Sequence, residues 1–249
     1  MDDIGESVVS KENVSPFWGQ FDMIVCIHSN RHSGNKNNAT ALFQTMGIPA
    51  RFLAFETTDA QSTFEAHRRA MQIALESRCN NVVVLEDDIA KLNELEQLEY
   101  DDITHFVQHD KKWDVFFLGV HANVFFQTSR RVESSIFKVQ SACTHAYVAS
   151  RGFMQKMSRL DFEVLNCAFG HLLEQNFNTF CVFPTLFYKP GPASLSNVKH
   201  LARKISLHCK NEFSRWSPLA FVYVVWALFL LLFMWLLIAL FRKRSRSQK

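Results

Sequence analysis

Short apolar runs and amphipathic stretches follow one another along the first hundred residues, and this order predicts strands and helices in turn. Three almost continuously apolar runs are typical of strands covered on both faces: residues 21–27, 51–55 and 81–85. Residues 62–77 place apolar side chains at helical spacing and therefore predict an amphipathic helix. Another helix is predicted over residues 37–46, because Gly47 and Pro49 follow it.

The second half of the chain shows a more mixed pattern. Its predicted strands cover residues 113–119, 136–139, 145–149 and 179–183, and its predicted helices cover residues 152–159 and 162–176. Strands and helices that alternate first and then become mixed are typical of an α/β sandwich with a mainly parallel sheet. We therefore predict that fold class, closed by a Pro-, Gly- and Ser-rich loop that begins at Lys189.

The most apolar part of the chain, from Pro218 to Phe241, contains no charged residue. At about 1.5 Å per residue, a helix of this length covers the hydrocarbon core of a bilayer, which is about 30 Å thick. The alternative is a buried helix of a globular domain, but such a helix normally keeps a polar face. We predict a transmembrane helix and five parts in all: a flexible N-terminus (1–20), a folded domain (21–198), a basic juxtamembrane linker (199–217), the membrane helix (218–241) and a basic tail (242–249).

The net charge of +3 comes largely from the basic tail, which argues against a general nucleic-acid-binding surface. A basic tail beside a membrane span is typical of contact with lipid head groups. The first residues lack the basic and apolar regions of a signal peptide. We therefore expect a single-pass protein, anchored at its C-terminal end in an ER, Golgi or viral membrane, with the folded domain in the cytosol. Basic residues on both sides of the span leave the opposite orientation open.

Three consecutive carboxylates, Glu86, Asp87 and Asp88, follow the valine-rich run 81–85. Ligands of open α/β sheets bind outside the carboxyl ends of the strands. Crowded carboxylates also repel one another unless a cation lies among them, and their hard oxygens suit Mg²⁺ or Mn²⁺. The spacing allows either a metal site at these three residues or a solvated acidic turn after a strand.

Other polar residues are predicted to open on the same edge of the sheet. Asn30 and Arg31 lie in the loop that follows the first strand, and His67 lies on the apolar face of the helix over residues 62–77. Each has a structural alternative: the loop residues suit an ordinary surface loop, and His67 suits a core histidine bonded to a backbone carbonyl. The functional interpretation is that all three line a substrate pocket.

Four segments of the chain, taken together, resemble glycosyltransferase family 25, which includes lipooligosaccharide and collagen galactosyltransferases and has relatives in large DNA viruses. The segments are residues 64–75 around His67, residues 82–89 with the three carboxylates, residues 113–119 (Trp-Asp-Val-Phe-Phe-Leu-Gly) and residues 144–150 (Thr-His-Ala-Tyr-Val-Ala-Ser). Each motif alone is weak, but the four occur in the family's order. The similarity covers about residues 21–196.

The resemblance implies a GT-A fold, a nucleotide-sugar donor (usually UDP-galactose), a divalent cation and inversion at the anomeric carbon. In family terms, Glu86, Asp87 and Asp88 match the acidic motif that binds the metal. His67 matches the family's helix histidine, and Tyr147 and Ser150 match the segment before a helix that closes the pocket. The implied activity is transfer of a sugar to a hydroxyl of a glycan, lipid or protein acceptor.

The chain departs from the family where members usually carry Ile-Asp, because the nearest match is Leu165-Asn166. An asparagine cannot accept a proton, so Asp161 or Glu163 is the candidate general base. Two rival functions stay open. One is a degenerate membrane protein that binds a sugar nucleotide or a glycan without turning it over, and the other is a metal-dependent phosphoesterase.

Overall fold

The computed structural model describes residues 5–30, 33–56, 60–110, 112–120, 130–141, 143–160, 173 and 177–190. The chain divides into two units, Met1–Pro192 and Ala193–Lys249. The predicted linker, membrane helix and tail (199–249) lie outside the described residues. No helix within the described ranges has both the length and the apolar character needed to cross a bilayer.

The folded domain alternates strands and helices over its first half. The helices are α1 (Pro16–Gly19), α2 (Ser33–Met46), α3 (Ala60–Glu76), α4 (Gln97–His109) and α5 (Arg151–Met157). The strands are β1 (Ile24–Ser29), β2 (Arg51–Phe55), β3 (Asn81–Glu86), β4 (Ala90–Lys91), β5 (Val115–Phe117), β6 (Arg130–Arg131), β7 (Ile136–Lys138), β8 (Ala146–Ser150), β9 (Thr179–Val182) and β10 (Phe187–Tyr188).

Eight of the described strands form one sheet in the order β2-β1-β3-β8-β5-β9-β7-β6, and β4 and β10 form a separate antiparallel ribbon. Strands β1, β2 and β3 are parallel to one another, and β5 is parallel to β9. Strand β8 is antiparallel to both β3 and β5, and β7 is antiparallel to both β9 and β6. Among the described strands, only β8 and β7 therefore oppose the common direction, and the predicted α/β fold with a mainly parallel sheet is confirmed.

Strand β1 is the point at which the order of the sheet reverses. The chain leaves β1 through α2 to pair β2 on one side, and then passes through α3 to pair β3 on the other side. Such a switch point opens a crevice outside the carboxyl ends of the two central strands. Here those ends are Ser29 of β1 and Glu86 of β3, so the topology places a ligand crevice between these two residues.

Apolar side chains cover both faces of the sheet. In β3, Val82 and Val84 pack into the cluster that contains Phe64 of α3, whereas Val83 and Leu85 pack into the cluster that contains Phe106 of α4. Successive side chains of a strand point to opposite faces, so a strand buried on both faces must be apolar throughout. This accounts for the continuous valine-rich run seen in the sequence.

Residues 5–20, which the sequence assigns to a flexible N-terminus (1–20), pack against the folded domain. The backbone N–H of Val8 donates to the carbonyl of Ala50 at 3.0 Å, and Trp18 of α1 is only 2 % exposed. Phe17 packs beside Tyr100 with 4.6 Å between ring centroids. Burial of these large apolar groups stabilises the segment against the domain, although the residues around them are polar.

Candidate active site

A polar cavity of about 340 Å³ lies at the carboxyl ends of β1, β2 and β3. The strands contribute Ser29 and Phe55, and the acidic turn that follows β3 contributes Glu86, Asp87 and Asp88. The cavity is also lined by residues from the first turns of α2 and α3, by His67, and by two loop residues, Thr144 and Lys189. The cavity therefore occupies the crevice that the topology of the sheet predicts.

The backbone holds the acidic turn at this edge. The N–H of Glu86 donates to the carbonyl of His145 at 2.9 Å, and the N–H of Asp87 donates to the carbonyl of Ile27 at 3.1 Å. The turn is thus hydrogen-bonded on both sides, to the segment before β8 and to β1. These two backbone hydrogen bonds hold the acidic turn in place at the carboxyl edge of the sheet.

Glu86 is the most heavily contacted of the three carboxylates. Its Oε1 accepts a hydrogen bond from Thr144 Oγ1 at 2.6 Å, and its Oε2 accepts one from Lys189 Nζ at 2.6 Å. His67 Nε2 lies 3.7 Å from Oε1. Burial alone would raise the pKa of Glu86, but His67 and Lys189 outweigh burial and hold this pKa well below its ordinary value. Glu86 is therefore a fixed negative charge and a poor proton acceptor.

Behind Glu86, His67 and Tyr147 form a buried pair. His67 Nδ1 lies 2.9 Å from the hydroxyl oxygen of Tyr147, and both side chains are fully buried. Burial, and then the charge of Glu86, raise the pKa of the Tyr147 phenol well above its usual value, so the hydroxyl stays protonated. The other ring nitrogen, Nε2, faces Oε1 of Glu86. Tyr147 is thus a positioning residue for the His67 ring.

Asp87 turns away from its neighbours and pairs with β1. Its Oδ2 lies 2.7 Å from His28 Nδ1, and only 8 % of Asp87 and 5 % of His28 are exposed. A carboxylate this deeply buried needs a hydrogen-bond donor, and His28 supplies it. The contact joins the carboxyl ends of β1 and β3 at the floor of the cavity.

Lys189 connects the other two carboxylates. Its Nζ lies 2.6 Å from Glu86 Oε2 and 2.9 Å from Asp88 Oδ2. Although burial opposes the charge of the ammonium, the two carboxylates outweigh burial and raise the pKa of Lys189. For Asp88 the balance is reversed, because burial raises its pKa more than Lys189 lowers it. Glu86 and Asp88 are therefore chemically different although they share one cation.

The three carboxylates, as placed, do not fit a divalent cation. Asp87 is bonded to His28, and the oxygens of Glu86 and Asp88 that approach each other enclose the Lys189 ammonium. No group of three or more His, Cys, Asp or Glu side chains in the described part of the chain is arranged to hold a metal ion. The expected Mn²⁺ or Mg²⁺ therefore stays a prediction.

The cavity also holds polar groups that lack a partner. Ser29 Oγ and Asp88 Oδ1 are buried atoms without a hydrogen-bond partner among the described residues, and Ser29 is 4 % exposed. Asn35 in the first turn of α2 and Thr63 in the first turn of α3 line the same cavity. The positive ends of both helix dipoles thus face the cavity, and such ends favour anions.

Several predicted site residues lie elsewhere. The amide of Asn30 donates to Glu56 Oε1 at 3.3 Å, on the exposed surface and away from the cavity lining. Ser150 caps α5, where its Oγ accepts from the N–H of Phe153 at 3.2 Å. Because β8 is antiparallel to β3, Ser150 pairs with Asn81 at the amino end of β3, and this corrects its predicted substrate contact. Three more predicted residues lie outside the described residues: Arg31, Asp161 and Glu163.

Two groups in the cavity were missed by the sequence interpretation. Thr144 belongs to one of the four family-like segments, in which the resemblance implies no role for it, and the sequence predicts only a loop that begins at Lys189. The antiparallel ribbon explains the position of Lys189: Tyr188 pairs with Ala90, so the next residue lies opposite Ile89 and beside Asp88. Two-residue strands leave no periodic signal, and the contact between Lys189 and Glu86 joins residues 103 positions apart.

A second, larger cavity of about 480 Å³ lies between α1, the end of α2 and the start of α4. Its lining includes the aromatic side chains of Phe17 and Tyr100 and the charged groups of Lys91 and Asp101. It is remote from the carboxyl ends of β1 and β3, and it contains no cluster of carboxylates comparable to the acidic turn. We therefore place the candidate active site in the smaller cavity.

No protein-family model matches the chain, and no curated protein matches it. Among solved structures, the chain is similar to A197 from STIV, with 12 % identity, a TM-score of 0.44, and coverage of 68 % of this chain and 86 % of that one. It is also similar to UDP-glucose pyrophosphorylase, both in complex with UDP-glucose (9 % identity, TM-score 0.41, coverage 76 % and 81 %) and in the apo form (8 % identity, TM-score 0.40, coverage 76 % and 82 %). At these scores the likenesses say nothing about activity.

Proposed function

We propose that the chain is a glycosyltransferase that transfers a sugar, with galactose as the first candidate, from a UDP-sugar to a hydroxyl of a glycan, lipid or protein. The observation that carries the proposal is the cavity at the switch point between β1 and β3, where carboxylates, hydroxyls and two helix N-termini meet. The resemblance of four segments to glycosyltransferase family 25 supports it, and it would make the domain a GT-A fold.

The diphosphate of the donor would lie against the first turns of α2 and α3. Both helices begin at the carboxyl edge of the sheet, next to Asn35 and Thr63 of the cavity lining. Backbone N–H groups of a first helical turn have no partner within the helix and bind phosphate oxygens. Lys189 would add a full positive charge at the same cavity. These groups offset the repulsion between a diphosphate and the acidic turn.

The sugar would lie toward the carboxylates. Charged carboxylates accept hydrogen bonds from hydroxyl groups, and such bonds are stronger than those between neutral partners. The unpartnered Oδ1 of Asp88 and the hydroxyl of Ser29 are available for sugar hydroxyls among the described groups. Glu86 is held in one orientation by Thr144 and Lys189, which favours a single pose of the sugar.

The reaction would be a direct displacement with inversion. The acceptor oxygen forms a bond to the anomeric carbon, while the bond from that carbon to the phosphate oxygen breaks and its electron pair leaves with UDP. The acceptor proton passes to a carboxylate, for which Asp161 and Glu163 are the sequence candidates. Helix N-termini and the Lys189 ammonium would stabilise the negative charge that develops on the leaving diphosphate.

The apolar segment 218–241 would tether this reaction to a membrane. Tethering would raise the concentration of the enzyme beside an acceptor in the same membrane. The cytosolic orientation and the ER, Golgi or viral membrane are part of the proposal. Protease protection of the folded domain in sealed membranes would test the orientation.

A second candidate is a degenerate protein that binds a sugar nucleotide or glycan without turnover. Asn166 favours it, because it stands where the family usually carries an aspartate. A donor screen on the full-length chain in detergent separates the two candidates. Release of UDP from one UDP-sugar, lost in Glu86→Gln and kept in the control Glu94→Gln, supports the transferase. Binding of the same donor without release supports the degenerate protein, and no binding of any donor contradicts both.

A further inference from the structure

We propose that Lys189 is the built-in cation of the cavity: its ammonium group takes the place between Glu86 and Asp88 that a divalent ion would need, so the cavity binds its ligand without a divalent ion. The position of Lys189 carries the inference. Only the identity of the ligand, a sugar diphosphate, rests on the proposed function.

The ammonium lies where a cation that bridges Glu86 and Asp88 would lie. Lys189 Nζ lies 2.6 Å from Glu86 Oε2 and 2.9 Å from Asp88 Oδ2, which are hydrogen-bond distances to both carboxylates at once. An Mg²⁺ ion bridging the same two oxygens would need about 2.0–2.1 Å to each, and so would occupy the place of the ammonium. The third carboxylate is directed to another partner, because Asp87 Oδ2 lies 2.7 Å from His28 Nδ1.

The fold fixes Lys189 in this place. The ribbon of β4 and β10 joins the segment after the acidic turn to the segment before Lys189, with Tyr188 opposite Ala90. The ribbon is attached to the domain, since the N–H of Leu186 donates to the carbonyl of Leu118 at 2.9 Å. An exposed ion pair of a surface lysine contributes little to stability. Lys189 differs, because the hydrogen-bonded ribbon places it next to two carboxylates in a cavity.

The cavity around Lys189, Glu86 and Asp88 still contains polar groups that can hydrogen-bond a ligand. An ammonium has three donors, and the two contacts with Glu86 and Asp88 use two of them. The hydroxyl of Ser29, 4 % exposed, lines the same cavity without a partner among the described residues. A phosphate or sugar oxygen in the cavity would accept hydrogen bonds from the third N–H of Lys189 and from the hydroxyl of Ser29.

Titration of the full-length chain with Mn²⁺, followed by electron paramagnetic resonance, tests the inference without any nucleotide. Wild type and the control Lys156→Ala, which removes another lysine–aspartate pair, should bind Mn²⁺ no better than weakly. Lys189→Met keeps the apolar stem but removes the charge, and should bind Mn²⁺ at least about tenfold more tightly, because two partly buried carboxylates lose their cation. The added change Glu86→Gln should abolish that gain.

Tight Mn²⁺ binding to wild type, or no gain in Lys189→Met, would overturn the proposal. A cooperative thermal unfolding transition confirms that each variant is folded. Lys189→Arg keeps the charge and should therefore bind Mn²⁺ as weakly as wild type. It also provides a second test if Lys189→Met does not fold. A gain of Mn²⁺ binding by Lys189→Arg equal to that expected for Lys189→Met would also count against the role of charge.

Calorimetry with UDP then tests the link to function. UDP should bind wild type with the same affinity, to within about twofold, in EDTA or in Mn²⁺, and Lys189→Met should lose about tenfold in EDTA, as expected for a charged hydrogen bond. Binding that requires Mn²⁺ would contradict the inference. If UDP binds under neither condition, the proposed function fails, whereas the Mn²⁺ titration still decides the role of Lys189.

Discussion

His67 Nδ1 of α3 lies 2.9 Å from the hydroxyl oxygen of Tyr147 in β8, and Nε2 of the same ring lies 3.7 Å from Oε1 of Glu86. Three residues from three different elements, α3, β8 and β3, thus form one buried row that ends at the cavity. Buried polar groups are stable only when they are paired, so each member of the row depends on the next. The orientation of Glu86 is set from inside the protein as well as by Lys189.

Removal of the Tyr147 hydroxyl tests this row. Tyr147→Phe should lower the free energy of unfolding by about 1–3 kcal/mol, because it takes a hydrogen-bond partner from a fully buried histidine. Chemical denaturation measures the change. The Tyr147→Phe substitution should also weaken UDP binding, since His67 and Glu86 lose their fixed orientation. Unchanged stability together with unchanged UDP affinity would contradict the positioning role.

The pKa of Glu86 predicts a specific loss of stability in acid. A carboxyl group whose pKa is lower in the folded state stabilises the fold above its unfolded value of about 4.3, and this contribution is lost as the pH falls below that value. The free energy of unfolding of wild type should therefore fall more steeply below about pH 4 than that of Glu86→Gln. Denaturation curves at several pH values measure both slopes, and equal slopes would show that Glu86 is not held charged.

Asp88 shifts in the opposite direction and serves as the comparison. Because burial raises its pKa in the folded state, its contribution to stability decreases as the pH rises through the window between the unfolded and the folded values. Asp88→Asn removes this unfavourable charge and should melt no lower than wild type at neutral pH, whereas Glu86→Gln should melt lower. Melting curves followed by circular dichroism measure both changes. A change of melting temperature with the same sign in both variants would contradict this prediction.

Gly119 allows the close approach of the segment that carries Lys189. A Cβ atom at this position would lie 2.8 Å from the carbonyl oxygen of Phe187 and would also collide with the ring of His145. Gly119→Ala should therefore destabilise the fold by about 1–3 kcal/mol and displace β10. Gly152→Ala is the matched control, because its Cβ would come no closer than 3.9 Å to Ser150 Oγ and lies in a helix. Equal melting temperatures of the two variants would exclude the packing role of Gly119.

Ser150 separates stability from binding. Ser150→Ala should destabilise α5 by about 1 kcal/mol, because the N–H of Phe153 loses its cap. Affinity for UDP should not change, since Ser150 lies at the amino end of β3, at the opposite edge of the sheet from the cavity. Calorimetry on the folded variant measures its affinity for UDP. A loss of UDP affinity would support the substrate contact that the sequence predicts for Ser150.

Much of the first half of the fold follows from the sequence, because burial on both faces of a strand and one face of a helix leaves periodic signals. Strand β2 covers the predicted residues 51–55, and α3 covers Ala60–Glu76 against a prediction of 62–77. The helix α4 was missed. Polar residues dominate it, only three of its residues are buried, and its start is a capping box formed by Glu96 and Glu99.

The site was predicted as far as local pattern reaches. Local pattern singles out the acidic turn and His67, and the family resemblance adds Tyr147; the structure brings these residues together at one edge of the sheet. Lys189 was missed because only the ribbon of β4 and β10 carries it across the sequence to Asp88. Ser150 was misplaced because no local pattern shows that β8 runs against its neighbour β3.

Photolabelling with 5-azido-UDP-glucose, followed by peptide mapping, tests most directly whether the cavity between β1 and β3 is the donor site. The label should appear on peptides that contain the first turn of α2, the first turn of α3 or the acidic turn, and excess UDP should prevent it. Labelling confined to other peptides, such as those around Phe17 and Tyr100 in the larger cavity, would contradict the assignment. So would labelling that UDP does not reduce.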